Sequence, residues 1–150
     1  MSKLKLTFVA VAAMALSFAA LGIAASQKET YKLKATLTPG QETPKTTSSG
    51  SGSFRGTLVE KGKKKTLTWK LTFKSLTGSA SAAHIHLGKR GVAGPVAVSL
   101  CGPCKSPAHG TAKLTERIVV AIEHHLGYVN VHTLKNKNGE IRGQISIKHS

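Results

Sequence analysis

The chain has 150 residues, with 22 Lys+Arg against 6 Asp+Glu and a formal net charge of +16. All the acids are glutamate, which excludes any mechanism built on an aspartate: an aspartyl nucleophile, a Ser-His-Asp triad, an EF-hand or a Walker-B site. Two cysteines, Cys101 and Cys104, exclude a disulfide-rich scaffold and a four-cysteine zinc site.

Lys3 and Lys5 precede an apolar run from Leu6 to Ile23 that ends in Ala24, Ala25 and Ser26. This is the pattern of a secretory leader over residues 1–25, with an uncleaved anchor as the plain alternative. The remaining residues, 26–150, are expected to form one domain, secreted or periplasmic, in a compartment where a disulfide persists. No further segment is long and apolar enough to span a membrane.

Tyr31, Leu33, Ala35 and Leu37 alternate with Lys32, Lys34 and Thr36, which predicts a half-buried strand. Residues 41–53 are polar and turn-rich, a loop between elements. Phe54, Gly56 and Leu58 alternate next, Lys61 to Lys64 turn the chain, and Leu67, Trp69, Leu71 and Phe73 alternate without a break. Trp69 is expected in the core. Val96, Val98 and Leu100 mark another strand, and residues 105–110 are expected to be a loop. Ile118, Ile122 and Leu126 share a helical face with Val119, so Thr115 to Leu126 is the one helix candidate, with Gly127 as its left-handed stop. Val129 and Val131 return to alternation, Asn138-Gly139 signals a tight hairpin, and Ile141, Ile145 and Ile147 share the last apolar face with Gly143. Seven or so short strands predict an all-β antiparallel sandwich or barrel with one short helix.

His84 and His86 are two residues apart, and in a strand such residues point to the same side, roughly 6.6 Å apart. Ile85 and Leu87 then face the core. His132 follows the same logic beside Val129 and Val131. If the two strands are neighbours, three imidazoles can meet on one ion, copper or zinc. The plain alternative is that these histidines hydrogen-bond loops and one another. Glu140 and Arg142 share the outward face of the last strand; they can pair, or Glu140 can orient a histidine ring.

Cys101-Gly102-Pro103-Cys104 has the letters of a thioredoxin motif but lacks the following helix. A local disulfide is the preferred reading, with a soft-metal site that includes His109, or redox exchange, as alternatives. The basic turns at Lys61, Lys63, Lys64 and Lys65, and at Lys135 and Lys137, favour an anionic cell-surface polymer or lipid as partner. The few aromatic residues lie on apolar strand faces, which argues against nucleic acid.

The segments AHIHLGKRGVAGPVAVSL (Ala83 to Leu100), GYVNVHT (Gly127 to Thr133), NGEIRGQI (Asn138 to Ile145) and LTPGQETPKTTSSGSGSF (Leu37 to Phe54) resemble the CHRD domain, found in chordin and in small secreted microbial proteins. The resemblance covers residues 30 to 148. It implies an all-β, Greek-key, immunoglobulin-like sandwich and a secreted binding module, and it carries no catalytic set. A second, local similarity is to copper/zinc superoxide dismutases. It implies copper ligands at His84, His86 and His132 and an arginine, Arg142, near the open side. The chain has no Asp for the zinc site, so this similarity implies a mononuclear copper site in a copper-dependent redox or copper-handling protein.

Overall fold

A computed structural model describes residues 27–150. The expected leader over residues 1–25 lies outside the described residues. Among those described, the strands are β1 (Lys28–Leu37), β2 (Ser51–Lys61), β3 (Lys64–Lys74), β4 (Ala80–Leu87), β5 (Val96–Cys101), β6 (Ala108–Lys113), β7 (Gly127–Thr133), β8 (Ile141–Gln144) and β9 (Ser146–His149). One helix, α1 (Glu116–Glu123), stands between β6 and β7. None of the described helices is long and apolar enough to cross a membrane.

The strands form two antiparallel sheets, ordered β6-β3-β2-β1-β9 and β5-β4-β7-β8. This is the all-β sandwich that the alternation predicts. Leu33, Leu37, Phe54, Leu58, Leu67 and Leu71 from the first sheet meet Ile85, Val129, Val131 and Ile141 from the second, and each is fully buried. Burying an aliphatic side chain of this size contributes about 1.5–3 kcal/mol. Trp69 is in this core, as expected. Lys65, read as part of a basic turn, instead faces inward and pairs with Glu60 at 3.0 Å and Glu116 at 2.7 Å.

Four local expectations need correction. The last strand is two strands: β8 pairs with β7 and β9 pairs with β1, with the break at buried Ile145. One apolar face serves both because the inner faces of the two sheets oppose each other. Residues 108–110, read as loop, begin edge strand β6, which pairs with β3. The helix ends at Glu123 because His125 adopts a left-handed φ of 57°. Gly127 is not the stop: it opens β7, where a Cβ would press on Ile122, and Leu126 is exposed beyond the helix. The β7–β8 connection spans residues 134–140, so Asn138-Gly139 is part of a longer loop than a two-residue hairpin.

The largest departure from an alternating, one-side-solvated sheet concerns the outer side of the second sheet. Every residue of β7 is buried. Three loops roof that side. In the first, Thr46 donates to the Glu140 carbonyl at 2.8 Å. In the second, the Val92 carbonyl accepts from Arg142. The third is the 134–140 connection itself, closed by the Gly139 N–H donating to Asn136 O at 3.1 Å.

Candidate metal centre

Under this roof, β4 and β7 are neighbours, paired antiparallel with His84 opposite Asn130, His86 opposite Tyr128 and Ala82 opposite His132. His84 and His132 are therefore diagonal partners, and small Ala82 leaves room beside the His132 ring. Ile85 and Val131 are fully buried on the inner side. That burial sets the common outward direction of the three histidines, since a one-residue slip would reverse it.

The structure brings the three rings together. One ligand nitrogen from each of His84, His86 and His132 lies within 4.8 Å of the others. His84 Nδ1 is 3.1 Å from His132 Nε2. Ring centroids are 4.9 Å apart for His84 and His132, and 5.7 Å for His86 and His132.

Backbone carbonyls orient two of the rings. His86 Nδ1 donates to Gly94 O at 2.9 Å, and His132 Nδ1 donates to Lys137 O at 2.9 Å. A proton on Nδ1 leaves a lone pair on Nε2 of each ring, and both lone pairs serve the cluster. His86 Nε2 is buried without any hydrogen-bond partner. Contacts to loops and between rings are also what purely structural histidines make. The unpartnered His86 nitrogen is what such a role leaves unexplained, because an unsatisfied buried polar atom costs about 1–3 kcal/mol. Burial holds all three imidazoles below their ordinary pKa of 6.5, and neighbouring charge adds to this for each. The neutral, metal-binding form is thereby favoured.

The sequence puts Glu140 and Arg142 on one outward face, where they can pair or Glu140 can orient a histidine ring; the structure shows neither contact. Both are buried, and each is committed elsewhere. The Glu140 carboxylate accepts from Ser48 Oγ, Thr77 N, Thr77 Oγ1, Thr133 Oγ1 and Asn136 Nδ2 at 2.6–3.0 Å. Burial alone would raise its pKa, but these hydrogen bonds outweigh burial and hold it at about 2. None of these partners is a histidine. Glu140 ties down the loop whose Lys137 carbonyl orients His132, so it acts on the site at one remove.

Arg142 donates to Val92 O at 2.9 Å and Lys89 O at 3.0 Å, and its guanidinium lies 3.4 Å from the Tyr128 ring centroid. The Tyr128 ring stacks on His86 at 5.0 Å, and its hydroxyl accepts from Gly94 N at 3.0 Å. Arg142 therefore braces the loop and ring behind His86 and does not stand at an open side. Gly94 is required there, since a Cβ would overlap the Leu87 carbonyl.

Glu42 was not singled out from the sequence. It is buried, with Oε1 unpartnered, beside Asn130, whose Oδ1 is also unpartnered. Burial raises the Glu42 pKa to about 7, against the lowering effects of Arg142 and of hydrogen bonds. Gly94, Tyr128 and Lys137 were also missed as supports. Two of them act through backbone carbonyls, which carry no side-chain signal; the glycine in Val92-Ala93-Gly94-Pro95 was the one available hint.

Cys101 and Cys104 form a disulfide. With both sulfurs in the disulfide, neither is a thiolate ligand for a soft metal. His109 projects instead from β6 on the other sheet, opposite Lys70.

In comparison with known proteins, the family profile described as the CHRD domain matches residues 33–145. No curated protein and no solved structure matches the chain. The similarity to copper/zinc superoxide dismutases therefore rests on motif letters alone.

Proposed function

The chain belongs to the CHRD domain family, and from that premise we propose that it is an exported binding module that holds a transition-metal ion, copper or zinc, through His84, His86 and His132. One observation carries the reading: one imidazole nitrogen from each of the three histidines lies within 4.8 Å of the others, and His86 Nε2 is buried with no protein partner. Three neutral imidazoles suit Cu(II) and Zn(II), and at a site of fixed ligands Cu(II) binds more tightly than Zn(II).

The residues have separate parts. His86 and His132 present Nε2 because Gly94 and Lys137 take the Nδ1 protons. His84, the more exposed ring, now shares a hydrogen bond with His132 and must give it up to a metal. The bound ion would supply a Lewis-acid or electron-accepting centre in a site fenced by loops. Binding without turnover is preferred over a redox enzyme because Arg142 is held by two carbonyls and Tyr128.

The test is metal analysis of natively purified protein, followed by titration with Cu(II). A stoichiometric d–d absorption that His84→Ala removes supports the proposal. Equal Cu(II) uptake by the chain and by the variant defeats it. Copper-dependent consumption of superoxide by the loaded protein would move the reading to the redox class.

A further inference from the structure

The outer face of the five-stranded sheet has a composition that the fold does not require. The inward residues of β1, β2 and β3 are the core positions already described. At every outward position of these three strands the residue is Lys, Arg, Thr or Ser, Val59 excepted. No carboxylate stands on this face: Glu60 points inward to Lys65, and Glu29 takes the Tyr31 hydroxyl.

Register places the charges in line. Lys34 is directly opposite Arg55, Arg55 is opposite Lys70, and the row continues to Ser146 on one side and His109 on the other. Like charges directly opposite one another on adjacent strands are destabilising. Lysines on edge strands prevent edge-to-edge pairing, but that account does not reach here. Arg55 is on β2, the central strand of the five, and β1 and β3 flank it. Lys34, Arg55 and Lys70 are all exposed, and none has an acidic partner. Two shallow depressions, of ≈ 370 and ≈ 450 Å³, share Lys34 and Arg55 as walls.

We propose that this face binds a linear acidic polysaccharide, laid across the strands along Lys34, Arg55 and Lys70. Three observations select that occupant. The charge is of one sign and repeats with the strand spacing of about 4.8 Å, comparable to the length of one sugar unit. Hydroxyls of Thr57 and Thr68 stand in the adjacent row, where they can bond sugar hydroxyls. On β1, β2 and β3, Val59 excepted, no outward side chain is apolar or aromatic, so none can insert into a lipid surface or stack on bases. The face belongs to the opposite sheet from the histidine cluster, so the proposal stands independently of metal binding.

The test titrates the purified chain with polygalacturonate, with neutral dextran and with phosphatidylglycerol vesicles, over a range of salt concentrations. Polygalacturonate is expected to bind, dextran not to bind, and vesicles to bind more weakly. The combined variant Lys34→Gln, Arg55→Gln and Lys70→Gln should lose affinity for polygalacturonate about tenfold or more, with a shallower salt dependence, because fewer counterions are released. Its melting temperature should equal or exceed that of the parent, since the substitutions relieve the repulsion; this also shows that it folds. A control of equal charge change at exposed positions off this face, Lys45→Gln, Lys105→Gln and Arg117→Gln, should shift affinity about twofold at most. Equal losses in the two variants, tighter binding to vesicles than to polygalacturonate, or no binding of polygalacturonate would each overturn the proposal.

Discussion

His84 Nδ1 is 3.1 Å from His132 Nε2, a spacing that two nitrogens on one ion could keep, but here a proton lies between them. With metal–nitrogen bonds of about 2.0 Å, ligand nitrogens stand roughly 3–4 Å apart. The Lys137 carbonyl holds the proton on His132 Nδ1, so in this hydrogen bond His84 is the donor. Metal binding must therefore shift the His84 proton to Nε2 or turn the ring, while His86 and His132 stay in place.

The first prediction concerns affinity and pH. His84→Ala, His86→Ala and His132→Ala should each abolish the stoichiometric Cu(II) absorption. Protons compete with metal for imidazole, so affinity falls as pH falls. Burial keeps the three pKa values below the ordinary 6.5. Affinity should thus hold down to about pH 6.5 and decline below it, at lower pH than for an exposed histidine pair. Isothermal titration on either side of this value checks the sign.

Gly94→Ala should damage the site without touching a ligand. Its Cβ would overlap the Leu87 carbonyl and move the carbonyl that His86 Nδ1 uses. Loss of such a supporting hydrogen bond typically costs about 10–100-fold in metal affinity. Measured Cu(II) affinity equal to that of the parent would refute the role assigned to the Gly94 carbonyl.

The two buried glutamates should give the fold opposite pH dependences. Glu140 is held at about 2, below its ordinary 4.5, so its stabilisation is present above pH 4.5 and is lost as pH falls toward 2. Glu42 is raised to about 7 from 4.5, so its protonated form stabilises the fold at acid pH, and that contribution is lost as pH rises through 7. Glu140→Gln should destabilise by about 3 kcal/mol at neutral pH, because it removes hydrogen bonds to a charge and sets an amide N–H against donors. Glu42→Gln should match the parent at low pH and melt at a higher temperature above pH 7. Thermal melts across this range decide both.

Removal of the disulfide should cost little. Cys101 and Cys104 are three residues apart and close a short loop at the end of β5. The chain-entropy estimate for so small a loop is about 2 kcal/mol. The combined change Cys101→Ala and Cys104→Ala should lower the unfolding free energy, read from denaturant titration, by that amount and leave Cu(II) binding intact. A loss of metal binding would show that the loop supports the site.

Strand identity was readable because burial on one side imposes a period of two, and Leu67 to Phe73 or Val129 and Val131 display it plainly. The same period disclosed the common direction of His84, His86 and His132. The break at Ile145 was not readable, because the two strands it separates present one continuous apolar face. The end of the helix at Glu123 was missed for another reason: His125 takes a left-handed conformation that glycine more often takes.

By itself, the sequence determined the sandwich, the core and the side of the sheet from which each histidine projects, since these follow from alternation and from the cost of a register slip. Only the tertiary structure decided that β4 and β7 are neighbours, and that their polar side is roofed and not solvated. The roof is made of loops rich in Thr, Ser, Gly and Asn, whose contacts run through backbone carbonyls and hydroxyls and leave no periodic trace. That is why Glu140 and Arg142, charged residues at outward positions, are buried supports, and why Glu42, in a segment that reads as open loop, is a carboxyl group raised to about 7.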